Sequence, residues 1–191
     1  TLASQKQLAD DLALERSSLE QRVYERTAEL SSRSSQQQAA AQVAKAISTQ
    51  TNLDDILKIA IAEIQNHFGF YHAGIFLIDE NREFAVLRAA TSEGGRQMIA
   101  NNHRLLVGQE GIVGYVTSRG EARIAVDVGL DATHFQNPYL PDTHSEIALP
   151  LRTSAGVIGA LDVQSREETA FSKDDLDVLQ TIADQLASAI D

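Results

Sequence analysis

Two patterns of apolar residues divide the chain. Over residues 1–50 they follow a heptad spacing. One core position holds Leu2, Ala9, Arg16, Val23, Leu30, Gln37 and Ala44, and the other holds Gln5, Leu12, Leu19, Arg26, Arg33, Ala40 and Ile47. Nine of these fourteen are apolar, and three of the five exceptions fall at Arg26, Arg33 and Gln37. The stretch contains neither Gly nor Pro and is rich in good helix formers. A lone helix with so thin a stripe gains little from it, whereas two side by side bury it. Residues 1–50 are therefore expected to be a helical coiled-coil linker. Its seam, made of Leu12, Leu19, Val23, Leu30, Ala40 and Ile47, would join a homodimer. The biased run "SSRSSQQQAAAQ" supports a competing reading, a flexible linker.

From residue 51 onward helix and strand signals alternate, and 51–191 is expected to be one domain. Asn52 or Thr51 can cap a helix running to about His67, with Leu53, Ile56, Leu57, Ala60, Ile61, Ile64 and Phe68 on one face and Gly69 at its end. "YHAGIFLID" is apolar on both faces and reads as a central strand covered on both sides. "FAVLRAAT" returns as a second strand. "SEGGRQMIANN" reads as a loop with at most one helical turn, and "HRLLVG" as a short third strand. "EGIVGYVTSRG" is a short helix ending at Gly120, and "ARIAVDV" is a strand. "GLDATHFQNPYLPDTH" is a long loop. "EIALPLR" and "VIGALDVQS" form the last hairpin around "TSAG". Pro150 lacks an amide donor, so an edge or irregular position is expected for it. Gly159 would admit a close backbone. Ser172 and Asp175 form a capping box before a final helix with Leu176, Leu179, Ile182, Ala183, Leu186 and Ile190 on one stripe.

Charge and composition narrow the classes of function. The net charge of -11 lies entirely beyond residue 50, because residues 1–50 carry six basic and six acidic side chains. An acidic domain repels nucleic acid backbones and anionic lipid, so neither is expected as a direct partner. No apolar run approaches the ~18 residues of a membrane span. The chain opens on Thr1 and is expected to be part of a longer, cytoplasmic protein whose membrane anchor, if it has one, lies elsewhere. There is no Cys, which removes thiol nucleophiles and thiolate metal ligands.

The order of elements, together with three local stretches, resembles the GAF domain, a relative of PAS domains. "GQEGIVGYVTSRGEARIAVDV" is similar to that family's short helix and following strand. "SEIALPLRTSAGVIGALDVQS" is similar to its last hairpin, and "FSKDDLDVLQTIADQLASAI" to its closing helix. The resemblance covers about residues 52–190. It implies an α+β fold, a GAF/PAS-like antiparallel six-stranded sheet flanked by helices and preceded here by a long N-terminal helix. Upstream, "LEQRVYERTAEL" resembles the linkers before GAF domains in bacterial multi-domain sensor histidine kinases. This implies a non-catalytic sensory, relay and dimerisation domain, paired through its N- and C-terminal helices, with the output module elsewhere. Bilin-carrying relatives and those that reduce free methionine sulfoxide use a Cys, so neither covalent bilin nor that chemistry is expected. The Asn-Lys-Phe-Asp-Glu constellation of cyclic-nucleotide-binding relatives is not found.

A small ligand, of a kind the sequence does not name, would lie between the sheet and its covering loops. Phe76, Tyr115, Asp127, His134, Phe135, Tyr139, His144 and Glu146 are the candidates to line such a pocket. An alternative makes His134 or His144 a haem or metal ligand. Another makes the domain a ligand-free spacer. Asp162, inside an apolar strand, reads first as a hydrogen-bond acceptor near the strand end. His67 and His72 are five apart, which is no recognised metal spacing. "GQEGIVG" lacks the Lys-Ser/Thr ending of a P-loop. Gly111 and Gly114 read as allowing the short helix to pack closely, and an anion at that helix start is the alternative. Nothing like Gly-x-Ser-x-Gly is present.

Overall fold

The computed structural model describes residues 2–49, 52–128 and 137–191. The chain divides into two units, Thr1–Gln38 and Ala39–Asp191. The first is most of a long helix, α1 (Leu2–Ser48), on which Leu12, Leu19, Val23 and Leu30 are exposed in the protomer. The second unit begins within the same helix, where Ala40 is buried in that unit's core. The side chain of Ile47 lies outside the described residues. Among the described residues no helix is long and apolar enough to cross a membrane.

After α1 come α2 (Leu53–Phe68), β1 (His72–Ile78), β2 (Phe84–Ala90), α3 (Glu93–Ala100), β3 (Arg104–Leu106) and α4 (Gly111–Arg119). Then follow β4 (Arg123–Ala125), β5 (Ser145–Thr153), β6 (Gly156–Ser165) and α5 (Lys173–Ile190). The six strands form one sheet in the order β3-β2-β1-β6-β5-β4, and every pairing is antiparallel.

Local chemistry sets the helix ends. The Asn52 side chain accepts from the Asp54 N–H at the start of α2, and Gly69 closes that helix at φ 62°. Both bonds of the capping box between Ser172 and Asp175 are present at α5. The 93–100 stretch is a full eight-residue helix, not the loop expected from its two glycines. Ser92 caps it by accepting from Gly95 N–H, and Met98 is buried beneath it, so capping and burial outweigh glycine's cost. β4 is shorter than its apolar run suggested. Val126 is exposed, and its carbonyl accepts from the N–H of Thr169 rather than from a strand. The short β4 also explains Pro150: β4 pairs with β5 only from Glu146 to Ala148, so Pro150 lies beyond that pairing and needs no donor there.

Strand alternation gives the sheet two different faces. Ala73, Ile75, Ile147, Leu149, Leu161 and Val163 point to one face, where they pack with Leu57 and Ile64 of α2 and Leu179, Ile182 and Leu186 of α5. These side chains are nearly or fully removed from solvent. Each of the Val, Ile and Leu side chains contributes roughly 1.5–3 kcal/mol relative to exposure, which makes this face the main stabilising core. The opposite face carries Phe76, Leu87, Leu105, Ala148 and Ala160, covered by Met98 of α3 and by Ile112, Val113 and Val116 of α4. A Cβ at Gly159 would stand 2.1 Å from the Phe76 carbonyl oxygen, so β1 and β6 require the glycine at their crossing.

Candidate functional site

The second face is not wholly apolar. His72, Glu146, Asp162 and Gln164 are all buried. The register places them together, since His72 and Glu146 both stand opposite Gln164, from β1 and β5. Asp162 is one pleat further along the same face, opposite Gly74 and Ala148. With Phe76, these side chains form the sheet wall of a cavity. Met98, His103, Leu105, the first turn of α4, Asn137 and Leu140 complete it. Its volume is about 20 Å³, enough for one water-sized group.

His72 is the least satisfied group in this wall. Its Nδ1 is 2.8 Å from Ser92 Oγ, and that oxygen already accepts from Gly95 N–H at 2.9 Å. With these two contacts, the arrangement that uses the Ser92 hydroxyl hydrogen has it donate to Nδ1, which leaves the imidazole hydrogen on Nε2. That Nε2 is buried and has no hydrogen-bond partner. Two glycines make room for the ring. A Cβ on Gly74 would lie 3.1 Å from Nε2, and one on Gly95 2.9 Å from Cε1. Burial, and then the proximity of His103, push the His72 pKa down to about 4, so it is neutral near pH 7. Burial also holds His103 below the ordinary histidine value, against a smaller opposing effect of Glu110. The Gln164 side-chain amide donates to Asp162 Oδ2 at 2.8 Å, and Gln164 Oε1 accepts from Thr143.

The candidates from the sequence are distributed unevenly. Phe76 and Glu146 line the cavity. Tyr139 borders it without lining it, since its hydroxyl accepts from Asn101 and its N–H donates to Asn137. Asn137 in turn donates to Met98 Sδ at 2.9 Å. Tyr115 packs on the same core, under the guanidinium of Arg123 at 4.9 Å. Asp127 is half-buried, just past β4. His144 is exposed, with Nδ1 beside the Asp142 carbonyl at 3.0 Å. His134 and Phe135 lie outside the described residues. Asp162 sits within β6, three residues before its end, and faces the cavity. His72, Gln164 and Met98 were missed. For Gln164 the available signal was its place two residues after Asp162, alternating with the apolar Leu161 and Val163 of the same strand.

The profile described as "GAF domain" matches residues 50–191. The chain belongs to the GAF family. No curated protein matches its sequence. Among solved structures, this GAF domain is similar to the GAF domain of a phosphoenolpyruvate-protein phosphotransferase from Coxiella burnetii. The TM-score is 0.75 at 23% identity, covering 83% of this chain and 94% of that one. It is similar to the corresponding domain from Acinetobacter, with a TM-score of 0.68 at 25% identity over 81% and 92% of the two chains. It is also similar to the free methionine-R-sulfoxide reductase of Neisseria meningitidis in complex with its substrate. There the TM-score is 0.71 at 21% identity, over 81% and 87%. The fold is thus one used for sensing and, in some relatives, for catalysis. This chain has no Cys.

Proposed function

We propose that this GAF domain is a non-catalytic sensory and relay module of a cytoplasmic bacterial signal-transduction protein, a sensor histidine kinase. It works as a homodimer through its N- and C-terminal helices and binds a small molecule in the cavity beneath α3 and α4. The observation that carries the ligand reading is His72. A module serving only as a spacer has no use for a buried imidazole nitrogen without a partner, because such a group costs about 1–3 kcal/mol.

The sheet supplies the route from ligand to output. β5 and β6 present Glu146 and Asp162 to the cavity, and on the opposite face they present Ile147, Leu161 and Val163 to the core shared with α5. A ligand that favours one arrangement of these two strands shifts the seat of α5, and Ala40 of α1 belongs to that same core. The dimer reading rests on the exposed row Leu12, Leu19, Val23 and Leu30.

Light scattering of the full chain tests the dimer. The wild type is expected to be dimeric and the double variant Leu19→Glu, Val23→Glu monomeric. A monomeric wild type at every concentration would remove this part of the proposal. A thermal-shift screen with cyclic nucleotides, amino acids, aromatic acids and haem tests the ligand. Saturable stabilisation by one compound is expected, and none from any would favour a spacer.

A further inference from the structure

The chain carries a single sulfur atom, that of Met98, since it has one Met and no Cys. Met98 belongs to α3, is 1% exposed and lines the cavity. Its surroundings are polar for a buried thioether. Asn137 Nδ2 donates to Sδ at 2.9 Å. His72 Nε2, buried and without a partner, belongs to a ring that lines the same space. The helix brings the two side chains together: a Cβ on Gly95, one turn before Met98, would lie 2.9 Å from His72 Cε1. A thioether is a weak acceptor, so it satisfies such donors poorly, whereas a sulfoxide oxygen accepts strongly. The free space, about 20 Å³, suits one oxygen atom. Asn137, the group bonded to the sulfur, is itself half-exposed.

We propose that Met98 is a modification site, oxidised by a peroxide to a sulfoxide whose oxygen fills the cavity and accepts from His72 Nε2–H and Asn137 Nδ2–H. One lone pair of Sδ faces Asn137, and the other attacks an oxygen of the peroxide. The S–O bond forms as the O–O bond breaks. The sulfur is oxidised by two electrons, and hydrogen peroxide is reduced to water, the departing oxygen taking the proton of the oxygen transferred. The new oxygen ties α3 to β1 through His72, so the oxidation state of one sulfur sets how α3 is held on the sheet. No diffusible ligand has to bind at equilibrium, which takes this site beyond the sensory reading given above.

The full 191-residue chain is treated with hydrogen peroxide, and the gain of one oxygen is followed by mass spectrometry and located by peptide mapping. Met98→Leu, a swap that conserves volume, is the control and should gain none there. Two comparisons separate attack in the folded domain from attack on the unfolded chain. Ser172→Ala, outside the cavity lining, raises the unfolded fraction about fivefold and should still be oxidised at the wild-type rate. The folded chain should yield mainly one sulfoxide epimer and the chain in urea both, read on the digests with the two epimer-specific reductases. The oxidised domain should melt less than about 4 °C below the reduced one, because its oxygen has partners. The His72 Nε2–H resonance should move on oxidation. Faster oxidation of Ser172→Ala in proportion to its unfolded fraction, equal epimers, or no reaction of the folded chain would overturn the proposal. A larger fall in melting temperature or an unmoved His72 resonance would overturn it as well. Each of these outcomes leaves the screen for a bound compound to be decided on its own result.

Discussion

Neutral His72 buried beneath α3 should make this domain acid-sensitive well above the range in which ordinary carboxylates titrate. In the folded chain its pKa is about 4, against 6.5 for a free imidazole. The unfolded chain therefore binds the proton more readily. Stability is complete above about pH 6.5, falls as pH drops, and stops falling on this account near pH 4. At one pKa unit per 1.36 kcal/mol, the full loss is about 3 kcal/mol, of which about 2 kcal/mol has gone by about pH 5. His103 titrates in the same direction, and Glu146 and Asp162 share the cavity, so the His72 contribution has to be isolated by difference. Urea unfolding of wild type and His72→Gln at several values between about pH 7.5 and pH 5 does this. Gln keeps a polar group beside Ser92 and removes the titration. The variant should lose about 2 kcal/mol less than wild type over that range, whatever its starting stability. Parallel curves for the two proteins would show that His72 is not held neutral by burial, and the cavity wall would have to be redrawn.

Other expectations concern the frame around the site. Gly159→Ala should cost about 1–3 kcal/mol, because its Cβ would press on the Phe76 carbonyl between two central strands; thermal unfolding measures it. Gly94→Ala places a Cβ 2.0 Å from the Tyr139 carbonyl, so it should displace the 137–140 wall and change ligand affinity more than stability, read by calorimetry beside melting temperature. Ser172→Ala removes the capping box of α5 and should cost about 1 kcal/mol in chemical unfolding, with no effect on ligand binding.

The fold was legible because its determinants are local and periodic. The cap of α2 at Asn52, its glycine stop at Gly69, the capping box at Ser172 and the doubly apolar β1 each stated their structure in a few residues. The α3 helix was not legible, because Gly94 and Gly95 argue for a loop. Only the tertiary fit of Gly94 against Tyr139 and of Gly95 against His72 explains why glycines stand in a helix. The site was half legible. Phe76 and Glu146 stand among the sequence candidates for a ligand pocket. In the sequence Asp162 reads as an ordinary strand acceptor, and His72 enters only in the test of a metal spacing with His67. What joins them is the antiparallel register of β1, β6 and β5, a non-local property that no stretch of sequence displays. The aromatic and histidine residues of the long loop drew notice by composition alone, and composition does not say which side chains turn inward.

The most direct test of the account is the imidazole nitrogen NMR spectrum of His72, followed while a compound found to stabilise the domain is titrated in. We expect a single neutral tautomer with its hydrogen on Nε2, and a change in that resonance that saturates at the same concentration as the gain in melting temperature. A compound that stabilises the domain while leaving the His72 nitrogens unmoved would place the ligand elsewhere and contradict it.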